Sequence, residues 1–212
     1  MNLPNKLTVL RILLVPIFII IGYVGIPGEF LGISNTFWVM DLIFVIASIT
    51  DKLDGTIARK YNLVTNFGKF LDPIADKILV CAALIMLVEL GKIPAWIPII
   101  VIFREFAVSG FRLIAVEQGG KVIAASVWGK LKTATQMVGI ALIFVDKFNF
   151  FQFVFRVGTE AEQMVNSASV YMTTGQYVLN IITSVLLAFS TIACIFSGWD
   201  YIKGGKEFIK DK

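Results

Sequence analysis

Long apolar runs broken by short polar stretches repeat along this chain. They lie at Leu7–Ile26, Thr36–Thr50 with a continuation through Ala58, Phe70–Leu90, Ile93–Val116, Val122–Val145 and Tyr177–Trp199. A hydrocarbon core of roughly 30 Å takes about 20 residues of helix, so the pattern predicts six transmembrane helices. The runs are continuous, without apolar–polar alternation, which excludes a β-barrel pore. The expected fold class is therefore all-α, a polytopic integral membrane protein. Ahead of the first run, "NLPNKLT" places Pro4 at a break with Asn5 or Thr8 as caps. This segment predicts a short N-terminal interfacial helix. "GIPGEFLGISN" reads as a turn-rich loop, and "GKIPAWIP" as a link whose Trp96 suits a membrane interface. A long segment beginning "DKFNFFQFVF" has an aromatic half expected in the interface, and no internal repeat is evident.

Composition narrows this further. A length of 212 residues fits one domain over 1–212, while 57% hydrophobic and 16% charged residues exclude an ordinary soluble one. The N-terminal run lacks a small-residue cleavage site and is too long for a signal peptide. Cys81 and Cys194 both fall inside apolar runs, where small packing residues are expected rather than a disulfide or metal framework. Histidine is absent. Proton transfer then falls to a carboxylate, lysine, tyrosine or water, and any metal must be a hard, oxygen-binding one.

The net charge of +4 matters through its distribution. With the N-terminus inside and six spans, Lys92, Lys147 and Arg156 lie outside and the other sixteen Lys and Arg lie at the inner surface. This asymmetry predicts a multi-pass protein of the cell membrane with both termini cytoplasmic. It accounts for the basic excess without a nucleic-acid partner. It also puts the break between the second and third runs on the cytoplasmic side.

That break gathers four carboxylates. Asp51 and Asp54 stand three apart, with Gly55 and Ala58 on nearly the same helix face. Asp72 and Asp76 stand four apart, with Gly68 one turn earlier. Two antiparallel helices joined through "KYNLVTN" would bring the four together. So many negative charges side by side need cations, and two divalent ions would neutralise them. Oxygen-only ligands suit Mg²⁺, Mn²⁺ or Ca²⁺, and such a pair can hold a pyrophosphate during displacement at phosphorus. Gly55 and Gly68 would admit a bulky ligand to the backbone, and Arg59 could grip phosphate oxygens. A metal-ion transporter would instead need carboxylates deep in the spans with paths to both faces.

The stretch "DKLDGTIAR", eight residues, then "GKFLDPIAD" resembles the signature of the CDP-alcohol phosphotransferase family, D-x2-D-G-x2-A-R-x8-G-x3-D-x3-D. Every fixed position is present, and the six-span core of that family covers essentially the whole chain. The resemblance implies a homodimer that depends on divalent metal, Mg²⁺ or Mn²⁺ above all. It implies transfer of a substituted phosphate from a CDP-linked donor to an alcohol, with release of CMP. It further implies that Asp51, Asp54 and Asp72 bind metal, and that Asp76 binds metal and acts as general base. The donor-side set is then Asn5, Thr8, Gly55, Arg59 and Gly68.

"NLPNKLTVLR", "FREFAVSGFR" and "AASVWGKLKTATQM" are similar to the branch of that family that forms phosphatidylglycerophosphate. The residues themselves point the same way. Arg104 and Arg112 are eight apart within an apolar run, and Lys130 and Lys132 open the next. They describe an acceptor pocket for a small phosphorylated alcohol, although snorkelling or pairing with Glu105 or Glu117 would also satisfy single members. The expected reaction transfers the phosphatidyl group from CDP-diacylglycerol, its acyl chains among membrane lipid, to glycerol 3-phosphate. A sister enzyme using inositol phosphate or phosphatidylglycerol is the alternative.

Overall fold

A computed structural model describes residues 2–60, 66–117, 127–152 and 173–204, with side chains at all of these except 3, 4, 52–60, 66–70, 72, 73, 76, 112–117, 127, 202 and 204. Six helices run through the described residues: α1 Leu3–Val24, α2 Asn35–Lys60, α3 Asn66–Glu89, α4 Trp96–Glu117, α5 Val127–Val145 and α6 Thr174–Gly204. Each contains most of one apolar run. The separate interfacial helix expected at the N-terminus is not formed. Pro4 falls in the first turn, where a missing N–H costs nothing, so α1 starts at Leu3 and runs unbroken to Val24.

The helices alternate in direction. At one end, the start of α1 meets α2 at Asp51, and α4 meets α5 through Glu105 and Lys132. At the other end, α1 leads into α2 through a turn in which Thr36 Oγ1 accepts the Ile26 N–H at 2.8 Å. That turn holds the one departure from all-α structure among the described residues, a two-stranded hairpin pairing Glu29–Phe30 (β1) with Ile33–Ser34 (β2). Leu31 and Gly32 form its tip at φ 56° and 73°, the left-handed pair that a tight hairpin turn demands.

Burial follows the helical period. On α1, Asn5, Thr8, Arg11, Val15 and Phe18 are buried at steps of three and four, while Leu13, Ile17 and Ile20 are exposed. On α2 the buried face is Thr36, Met40, Phe44 and Ala47. Leu79, Leu84, Leu87, Ile97, Ile140 and Leu187 complete the core, and Phe18 meets Phe144 edge to face at 5.8 Å. α5 lies along α6 so closely that a Cβ on Gly139 would stand 3.5 Å from the Leu187 backbone nitrogen. The outward faces are as apolar as the core: Ile49, Ile99, Phe103, Phe106 and Ile192 are all exposed. A surface of this kind needs an apolar surround. Among the described residues, α1 over Asn5–Val24 and α6 over Thr174–Tyr201 are long and apolar enough to cross a membrane.

A polar cluster ties the hairpin end together. Asp146, just past α5, accepts the Phe148 N–H on Oδ1 at 2.9 Å and Asn180 Nδ2 on Oδ2 at 2.8 Å. Lys92 in the α3–α4 link donates to the Asp146 carbonyl at 2.6 Å and lies over the Phe37 ring. Burial pushes the Asp146 carboxyl up from its ordinary value, against hydrogen bonds and the nearby ammonium that favour its charged form. Burial likewise pulls the Lys92 ammonium down, and the charge of Asp146 opposes that.

Candidate active site

The aspartate end of the bundle is built from α1, α2 and α3. Asp51, Asp54, Gly55 and Arg59 occupy the last turns of α2, and Gly68, Asp72 and Asp76 the first turns of α3. The four aspartates therefore sit on two helices that lie next to each other in the chain and pack together. The side chains of Asp54, Arg59, Asp72 and Asp76 lie outside the described residues, as does the turn over residues 61–65.

Asp51 is the member whose environment is defined. Arg11, 1% exposed on α1, donates from Nη1 to Asp51 Oδ1 at 2.7 Å, and the Asp51 side chain keeps 34% of its surface open. The exposure leaves the carboxylate reachable from outside the bundle, while the guanidinium fixes one of its oxygens. Asn5 and Thr8 are buried on the same face of α1 as Arg11. A polar stripe at the first turns of a helix whose remaining inward face is Val15 and Phe18 marks this end as built for polar contents. Carboxylates at helical spacing in a chain without histidine are the residue types a hard divalent ion takes, though among the described residues no three such side chains come together.

A second feature opens between α3, α4 and α5, a small cleft of about 90 Å³ lined by Lys77, Arg104, Glu105, Lys132 and Gln136 among others. Arg104 Nη1 donates to Glu105 Oε1 at 3.1 Å, and Lys132 Nζ donates to that same oxygen. Arg104 is held from the far side by α6, where its Nη2 donates to Ser197 Oγ and its guanidinium lies 5.8 Å from the Tyr201 ring centre. Lys77 donates to Ser109 Oγ, which donates in turn to the Glu105 carbonyl at 2.6 Å. Gln136 is 2% exposed, and its Nε2 has no hydrogen-bond partner among the described residues. Three cations and one carboxylate leave the lining at a formal +2, with buried donors still available. A lining of this charge and donor content is chemically suited to an anion with several oxygens.

Of the acceptor-side residues expected from sequence, the structure brings Arg104 and Lys132 into this cleft. Lys130 is exposed and is not part of the lining, and Arg112 lies on α4 with its side chain outside the described residues. Residues that sequence reasoning missed are Arg11, Lys77, Gln136, Ser109 and Ser197. An arginine inside the first apolar run was the available signal for Arg11. Lys77 was signalled by its place next to Asp76. Nothing local marks Gln136 or the two serines.

Known proteins resemble this chain over most of its length. Residues 1–193 match the model of the CDP-alcohol phosphatidyltransferase family. The chain is 47% identical over 156 residues to a Bacillus subtilis (strain 168) protein named CDP-diacylglycerol–glycerol-3-phosphate 3-phosphatidyltransferase, covering 70% of this chain and 79% of that one. A Rickettsia bellii protein of the same name is 34% identical over 212 residues, 98% of this chain and 97% of its own. A third of that name, from Haemophilus influenzae, is 43% identical over 143 residues, 66% of this chain and 73% of its own. With the signature residues of α2 and α3 inside the matched region, the chain belongs to the CDP-alcohol phosphatidyltransferase family.

Proposed function

We propose that the chain is a multi-pass membrane enzyme that transfers the phosphatidyl group of CDP-diacylglycerol to glycerol 3-phosphate, forming phosphatidylglycerophosphate and CMP. The observation that carries this reading is the cationic cleft of Lys77, Arg104 and Lys132, whose Lys77 directly follows Asp76 on α3. An uncharged alcohol would not call for three cations in a half-buried lining. A phosphate monoester, with a charge of about −1.5 to −2 at neutral pH, matches it.

The roles follow from position. The acyl chains stay among lipid against the apolar outer faces, with the CDP end at Asn5, Thr8, Gly55, Arg59 and Gly68. The acceptor phosphate is held by Arg104 and Lys132, with Arg112 and Lys130 as further candidates, so that its 1-hydroxyl is presented toward Asp76. Asp76 takes the hydroxyl proton as that oxygen bonds to the phosphorus carrying the diacylglycerol. The bond from this phosphorus to the bridging oxygen breaks, and CMP leaves with the electron pair. Two divalent ions, Mg²⁺ or Mn²⁺, held by Asp51, Asp54, Asp72 and Asp76, would supply charge neutralisation at the pyrophosphate. Arg11 keeps Asp51 in place and offsets part of the local negative charge. The sixteen-to-three distribution of Lys and Arg supports six spans with both termini and this site cytoplasmic, and the family supports a homodimer.

The test is a CMP-release assay on the purified protein with CDP-diacylglycerol and Mg²⁺, across a panel of acceptors. Turnover is expected with glycerol 3-phosphate and not with inositol phosphate or phosphatidylglycerol. Turnover with either of the latter alone would move the chain to a sister branch, and no CMP release with any acceptor would reject the reading.

A further inference from the structure

We infer that Glu105 is an internal stand-in for the acceptor's phosphate, holding the cationic cleft in its binding geometry and yielding its donors only to a dianion. The inference rests on the reading of the cleft as the acceptor site.

Arg104 Nη1 and Lys132 Nζ come from different helices and converge on Glu105 Oε1. Two cationic donors meeting at one oxygen define where an anionic oxygen is best placed in this cleft. The surrounding groups agree. Lys77 reaches the same region from α3 through Ser109, and Gln136 on α5 contributes a buried amide whose Nε2 has no partner among the described residues. From α6, Ser197 and Tyr201 back Arg104, and Cys194 is buried on the same helix.

Without Glu105, three cations would face one another in a half-buried space and splay apart. With it, Arg104 and Lys132 are held ready, and the cost of arranging them is met before any ligand arrives. The arrangement also sets a threshold. An entering anion must replace one carboxylate at two charged donors, so a singly charged oxyanion only exchanges like for like. A phosphate monoester brings a second charge and more acceptor oxygens, which Lys77 and Gln136 are placed to receive. Glu105 thereby selects phosphomonoesters over phosphodiesters, including the lipid phosphodiesters that surround the protein.

The experiment is calorimetric titration of the whole protein in phosphatidylcholine nanodiscs with inorganic phosphate and, separately, with dimethyl phosphate as a monoanion of similar shape. Wild-type protein is expected to bind phosphate and to discriminate against dimethyl phosphate. Glu105→Gln removes the competing charge while its amide oxygen still accepts from Arg104 and Lys132 and keeps them in place, so it should bind phosphate roughly tenfold tighter and dimethyl phosphate tighter still, narrowing the discrimination. Glu105→Asp, which retracts the carboxylate by one methylene, should fall between the two and serves if the glutamine variant does not fold. Equal or weaker phosphate binding by both variants would overturn the inference and make Glu105 a group that only orients its neighbours. Failure of wild-type protein to bind phosphate at all would instead remove the reading of the cleft on which the inference rests.

Discussion

Arg11→Met is the substitution that most directly probes how the aspartate end is held. Methionine keeps an unbranched stem in the space of the arginine and deletes the guanidinium. The structure loses the 2.7 Å contact from Nη1 to Asp51 Oδ1, made by a group only 1% exposed. Breaking a fully buried ion pair costs about 3–5 kcal/mol, but Asp51 keeps 34% exposure and water recovers part of its solvation. A loss of about 2 kcal/mol is therefore expected, equivalent to a fall in Tm of about 4–8 °C for a chain of this length. Arg11→Lys, which keeps the charge without the planar fork, should recover about half. The assay is thermal unfolding in nanodiscs of Arg11→Met, Asp51→Asn and the double variant, with Mn²⁺ affinity read in parallel by electron paramagnetic resonance. The two substitutions should be less than additive, because each removes the same contact. Additivity to within about 0.5 kcal/mol would show that the pair is not energetically coupled, and would refute the role of Arg11 as the group that holds Asp51.

Three further outcomes are expected. Asp76→Asn should lower kcat by at least ~100-fold in the CMP-release assay while the protein still binds CDP-diacylglycerol, since a lost general base slows chemistry more than binding. Arg104→Ala should raise KM for glycerol 3-phosphate by about ten- to hundredfold and leave KM for CDP-diacylglycerol nearly unchanged, as kinetics varying each substrate separately would report. Asp146→Ala strips the acceptor from the Phe148 N–H and from Asn180 Nδ2, and should cost about 3 kcal/mol of stability. Its effect should appear in melting and not in kcat at low temperature, because the cluster lies at the end of the bundle away from the cleft.

The sequence by itself determined the helices, because long apolar helices are set by length and apolarity, both local properties. The runs at Phe70–Leu90 and Ile93–Val116 differ from α3 and α4 by three or four residues at their starts and by one at their ends, because hydropathy does not fix where a helix begins. The family was equally legible, since its signature is a spacing of residue types along one short stretch of chain. Local pattern was misleading at Pro4, which reads as a break but sits where a helix tolerates it. The hairpin at Glu29–Ser34 was also missed, because two residues per strand leave no period to detect.

What only the tertiary structure decided is which charges work together. Arg11 and Asp51 are 40 residues apart, Glu105 and Lys132 are 27 apart, and Arg104 and Ser197 are 93 apart. No local pattern encodes such pairs, because they depend on which helices become neighbours and how each is rotated. Lys130 and Lys132 show the point most simply. In sequence they are equivalent cations at the head of one run, yet two residues along a helix turn a side chain through about 200°, so one faces outward and the other enters the cleft. The rotation of α5 is set by packing of Ile140, Ile143 and Phe144 into the core, a constraint that exists only once the other helices are in place.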